Sequence, residues 1–350
     1  MIEEINNKKT EITISKKEWL STKAPERILV IRLHAFGDVI ITLPYLLQLK
    51  KDLPANTKID FITLRENAPI PVGINLFSRV YKLNGNRNFR KQIFFASMLL
   101  PRLLLHKYNV IIDLQNNEVS NYLKKKIRPE AWSSFDRFSS FPAGERTRLT
   151  IEAVLNKKNF ANTNFTLKDK PVIASILKQN GWIEGNKLVL INPAGAFETR
   201  NWPASYYFAF CELWLKKFPA SQFVIMGTNV IYQKALYFKN ELKENVINLT
   251  NKTNAIEAFA IMQKITFALT EDSGLMHVAW ICGVPTLALF GSTRCDWSKP
   301  LGHHSMLLSS DDMECGNCML EKCKFNDVRC LTRYTPDFVF EKAMQLINNC

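Results

Sequence analysis

The chain has 350 residues, 47% of them apolar and 22% charged, a globular balance long enough for two hydrophobic cores and unlike that of a disordered chain. A formal net charge of +14 favours an anionic partner without choosing among nucleotide, lipid surface and nucleic acid. Nucleic acid is disfavoured, because there is no zinc-finger spacing, aromatic RNA-binding signature or recognition-helix unit. The longest apolar passage, Ile93 to Leu105, is interrupted by Pro101 and Arg102 and is shorter than the ~20 residues needed to cross a bilayer. Charges scattered through MIEEINNKKTEITISKKEWL leave no apolar signal region, so a cytoplasmic protein is expected.

After a polar leader over residues 1–26, Arg27 to Leu33 (RILVIRL) reads as a buried strand that runs through the turn HAFGDV into a helix. Lys58 to Leu64 and Val110 to Leu114 are further strands, separated by helix-length segments as in parallel βαβ units. Asn164 to Gly185 is less patterned, and then the series restarts. Leu188 to Ile191 leads into NPAGA, Gln222 to Met226 into GTN, Val246 to Leu249 into a turn, and Ile265 to Thr270 into EDSG; Val284 to Phe290 ends in GST. Two doubly wound α/β lobes are predicted, with the ligand cleft between them at the carboxyl ends of the strands.

Three strand-end segments carry the candidate chemistry. In HAFGDV, Gly37 lets the backbone bend, and Asp38 in the first helical turn can either cap the helix or accept a proton; spacing alone favours the cap. In TEDSGLMHVAW, Asp272, Ser273 and Gly274 open a helix whose free N–H groups and positive dipole end suit a diphosphate. His277, three residues on, faces the same space or packs in the core. In NPAGAFETRNWP, Arg200 can pair with phosphate or lie solvated on the surface.

IRLHAFGDVIITLP resembles the opening motif of glycosyltransferase family 9, the ADP-heptose:lipopolysaccharide heptosyltransferases. NPAGAFETRNWP resembles its lysine-or-arginine/Trp-Pro segment, TEDSGLMHVAWICGVPTLALFGST its donor motif, and VIIDLQNN its VIDLQG segment. The resemblance implies a GT-B fold: an acceptor lobe over residues 27–170, a donor lobe over 171–332, and a helix within 333–350 crossing back to the first lobe. It also implies metal-independent, inverting transfer, with Asp38 as general base and Gly37 in the turn. Arg200, Ser273, Gly274 and His277 would receive leaving-group charge, and Asp272 would contact the donor sugar or organise the loop. The donor would be a nucleotide-diphosphate sugar, ADP-heptose by resemblance, and the acceptor a lipid-linked glycan. No cofactor is required for catalysis. The segment MGTNVIYQKA lacks the glutamate that family members tend to carry there for the donor nucleoside.

Cys315, Cys318, Cys323 and Cys330 are spaced to hold a structural zinc or iron-sulfur cluster, or to remain reduced thiols. NFRKQIFFASMLLPRLLLHKYN interleaves bases with large apolar residues, which suits either an anionic leaflet or a helix packed on the sheet. The first would put the protein peripherally on the inner face of the cytoplasmic membrane. Lys124, Lys125, Lys126 and Arg128 read as a solvated face or as contacts to acceptor phosphate. A nucleotide-sugar epimerase and a non-catalytic nucleotide- or glycan-binding protein are the alternative functions.

Overall fold

A computed structural model describes residues 12–350, and the chain divides into two compact units, Met1–Lys168 and Asp169–Cys350. In the first unit, β1 (Ser15–Lys17), β2 (Arg27–Ile31), β3 (Lys58–Leu64), β4 (Arg79–Leu83), β5 (Val110–Asp113) and β6 (Ala131–Ser134) form one sheet in the order β1-β6-β5-β2-β3-β4. Every pairing in it is parallel except that of β1 with β6. The helices are α1 (Phe36–Asp52), α2 (Pro69–Gly73), α3 (Phe89–Leu104), α4 (Glu118–Ile127) and α5 (Ala143–Leu155). Strands β2 and β5 are almost wholly buried and read as continuous apolar runs because helices cover both faces of the sheet.

The second unit repeats the plan. Its strands are β7 (Lys187–Asn192), β8 (Ser221–Ile225), β9 (Val246–Asn248), β10 (Ile265–Glu271), β11 (Thr286–Leu289) and β12 (Ser305–Leu308), all parallel in the order β12-β11-β10-β7-β8-β9. Its helices are α6 (Ile173–Gln179), α7 (Ala204–Lys217), α8 (Tyr232–Leu242), α9 (Ala255–Met262), α10 (Gly274–Ile281), α11 (Cys295–Ser298), α12 (Arg329–Thr332) and α13 (Pro336–Asn348). Strand order reverses between β2 and β5 in the first unit and between β7 and β10 in the second. At these switch points the loops leave in opposite directions and a crevice opens at the strand ends. HAFGDV and VIIDLQNN therefore share one crevice, and NPAGA and EDSG share the other.

Within the polar leader, Ser15–Lys17 forms an edge strand of the first sheet, paired with Trp132–Ser134; the leader's earlier residues, 1–11, lie outside the described residues. The final helix packs its apolar stripe on the second unit. Thr335 caps α13, and Val339, Ala343 and Leu346 are buried in the cluster built around α7 and the second sheet. No helix among the described residues is long and apolar enough to cross a membrane.

Candidate active site

In the first unit, Asp38 occupies the third position of α1 and does cap it: its Oδ2 accepts from the Ala35 N–H at 2.9 Å. The same oxygen lies 3.1 Å from Nη2 of Arg32, and the carboxylate is about one-third exposed. The capping bond thus leaves part of the carboxylate accessible. Arg32 is buried, donates to the Leu114 carbonyl and lies 4.9 Å over the Phe135 ring. Burial, then the charge of Arg32, holds the His34 imidazole below its ordinary pKa.

The turn is pinned from the neighbouring strand. Oε1 of Gln115 accepts from Leu33 N–H at 2.9 Å and His34 N–H at 3.2 Å, while Asn67 donates to the Leu33 carbonyl at 2.8 Å. Asp113 in turn accepts from the Gln115 and Asn116 N–H groups, and burial pushes its carboxyl up. Lys124 departs from the expected solvated run: its side chain turns inward, 3.5 Å from Asp113 and 4.4 Å over the Trp132 ring. Burial lowers its pKa against the pull of Asp113.

In the second unit, Ser273 stands at the N-cap of α10 but lends no side-chain oxygen to the helix, because its hydroxyl accepts from Asn192 at 2.6 Å. The first N–H groups of α10 therefore keep their pull on an anion. Arg200 donates through Nη2 to the Asp272 carbonyl at 2.8 Å and to its carboxylate, and Thr293 donates to the same carboxylate at 2.8 Å. Asp272 is thereby the organiser of three loops. Nε of Arg200 is buried and has no acceptor among the described residues. His277 is buried on α10, so only a small part of it faces outward.

The spacing argument missed Glu271. It is fully buried at the end of β10, and its carboxylate accepts from Gly195 N–H at 2.6 Å and Trp202 N–H at 2.7 Å, tying down both ends of the loop that carries Arg200. Burial pushes its pKa up to about 7 against those N–H groups and nearby Lys234. The loop is also tight internally: a Cβ on Gly195 would stand 2.3 Å from the Arg200 carbonyl oxygen. Lys234, from the segment lacking the expected glutamate, donates to the Pro193 carbonyl at 3.0 Å and to Asn201, placing a cation beside the same loop. Among the signals in the sequence, only the acidic residue directly before Asp272 hinted at Glu271.

Cys315, Cys318, Cys323 and Cys330 are free thiols lining one small pocket with Thr199, Ser292 and Leu320. Among the described residues no group of three or more His, Cys, Asp or Glu is placed to hold a metal ion, so of the two alternatives the zinc or iron-sulfur site is not supported. Cys323 directs its sulfur toward the Asp327 carboxylate at 3.8 Å. The segment instead braces the loops above it: Met319 N–H donates to the Ser292 carbonyl at 2.8 Å, and Thr199 donates to Leu320.

Two doubly wound units with polar loops gathered at both switch points define the GT-B class of nucleotide-sugar folds. The chain matches the description "Glycosyltransferase family 9 (heptosyltransferase)" over residues 57–329, a stretch that begins after the HAFGDV turn. The chain belongs to glycosyltransferase family 9. It is 30% identical over 173 residues to the lipooligosaccharide heptosyltransferase 2 of Campylobacter jejuni, covering 47% of this chain and 52% of that protein. It thus spans about half the length of the first curated relatives that it matches. Among solved structures, the family 9 glycosyl transferase of Veillonella parvula superimposes with a TM-score of 0.76 at 20% identity, covering 93% of this chain and 98% of that one. The Escherichia coli heptosyltransferase WaaC with ADP gives a TM-score of 0.66 at 17% identity, covering 91% and 99%.

Proposed function

We propose that this protein transfers a heptose from ADP-heptose to a lipopolysaccharide-core acceptor, with inversion and without a metal ion. The observation that carries the donor half is the second unit's anion-binding arrangement. The start of α10 is left uncapped by Ser273, and beside it lies Arg200, whose buried Nε has no acceptor among the described residues. These supply the positive charge that a departing diphosphate requires, without a divalent cation. ADP is the nucleotide held by the similar E. coli enzyme, and it supports the choice of donor here.

Asp38 is the base. Its carboxylate takes the proton from the acceptor hydroxyl, the oxygen attacks the anomeric carbon, and the ADP oxygen leaves from the opposite face with the bonding pair. Arg32, at 3.1 Å, fixes the carboxylate's orientation. Family membership supports the acceptor class, a lipid-linked core glycan.

The test is transfer of heptose from ADP-heptose to a truncated core acceptor in the presence of EDTA. Transfer should persist in EDTA, fall about 10²- to 10⁴-fold in Asp38→Ala, and fall about a hundredfold in Arg200→Ala. Activity abolished by EDTA and restored by a divalent ion would refute the metal-free reading. Donor consumed without any acceptor would mark an epimerase instead.

A further inference from the structure

Helix α3 is apolar on two opposite sides, and the described residues enclose only one of them. Gln92, Ala96 and Leu103 are buried on the inner side, in and beside the cluster that joins α3 to the first sheet and α4. On the outer side Phe94, Met98 and Leu105 are 60%, 63% and 81% exposed. Together with exposed Pro101 they fall at i, i+4, i+7 and i+11, one straight stripe along the helix. Single exposed apolar residues are ordinary, but a contiguous stripe of large ones marks an interaction surface.

The charge around the stripe identifies the partner. Between Glu66 and Asp113 the chain has no acidic residue. Over the same stretch Arg90, Lys91, Arg102 and Lys107, on α3 or just past its end, are all exposed, as are Arg79, Lys82 and Arg87 before it. At 100° per residue, Lys91 and Arg102 border the stripe on one side and Arg90 on the other. Their long stems can lie along apolar surface while the charged ends reach outward. Aromatic and aliphatic side chains framed by cations match the boundary of a bilayer, where acyl chains lie beneath anionic phosphates. We propose that the outer face of α3 docks this protein on an anionic phospholipid surface.

Flotation of the full chain with vesicles tests this. Binding should be at least about tenfold tighter to phosphatidylcholine vesicles containing phosphatidylglycerol than to phosphatidylcholine alone, and should weaken with salt. Phe94→Ser combined with Met98→Ser should lower affinity about tenfold. Arg90→Gln with Lys91→Gln should lower it about fivefold per charge. Both pairs are exposed, so melting temperature and ADP binding should match wild type. Equal binding to neutral vesicles, no flotation, or wild-type flotation of the serine variant would each overturn the proposal. So would self-association of the wild type that the serine variant abolishes, since the face would then serve a second copy of the chain. The readout needs no sugar substrate, so its failure would leave the proposed transfer standing, and failure of transfer would leave the docking surface standing.

Discussion

Glu271 shows how a single buried group ties stability to pH. Burial raises its carboxyl from the usual 4.5 to about 7. Between those values the native chain holds a proton that the unfolded chain has released, so stability falls as pH rises, and the loss is complete above about 7. The whole shift corresponds to about 3 kcal/mol. Thermal unfolding at about pH 5 and about pH 8 measures it: the fall in stability should be smaller by roughly that amount in Glu271→Gln. An identical fall in both proteins would show that another group is responsible. The capping role of Asp38 was legible in the sequence because an aspartate in the first turn after a strand commonly caps the helix. The capping bond leaves the carboxylate about one-third exposed, which spacing could not decide. Glu271 was not legible, since its role depends on two backbone N–H groups from a loop about 70 positions away in sequence.

At the scale of elements, the longer buried strands could be read because β-branched and aliphatic runs ended in turn residues. Strands β1, β4, β6 and β12 escaped. β1 and β4 are the edges of the first sheet and β12 an edge of the second, and edge strands are short and carry polar residues that blur the pattern. AWSS and SMLL offer little periodicity of their own. Pinning between elements was equally hidden: VIIDLQNN could be matched to a family segment, but nothing in it announced that Gln115 holds the backbone of HAFGDV. Removing that amide leaves the Leu33 and His34 N–H groups without their acceptor, at a cost of about 1–3 kcal/mol. Gln115→Ala should therefore melt at a lower temperature and lose kcat through displacement of Asp38, the proposed base, while ADP affinity, which the proposed donor site assigns to the other unit's loops, stays unchanged. ADP binding weakened in parallel with kcat would disprove this division of labour.

For the whole molecule, the larger buried clusters among the described residues of each unit draw on separate residues. One is built from the first unit around Leu29, Ile62 and Leu103, the other from the second around Trp214, Phe267 and α13. Two enclosed cores predict two unfolding transitions. A ligand that binds only the native second unit should raise only that unit's transition, by about 3 kcal/mol at a hundredfold excess over Kd. Trp214 identifies which transition belongs to it. Its ring stacks on Phe267 with centroids 4.9 Å apart and meets Phe340 of α13 at 6.5 Å. Trp214→Ala empties the centre of that core and should cost about 3–5 kcal/mol. Calorimetry of the wild type with and without ADP, and of Trp214→Ala, should show ADP and the substitution moving the same transition in opposite directions while the other holds still. A single transition that both move together would mean that the units fold as one. ADP raising the transition that Trp214→Ala leaves in place would put the nucleotide in the first unit and overturn the assignment of Arg200 and the α10 start to the donor.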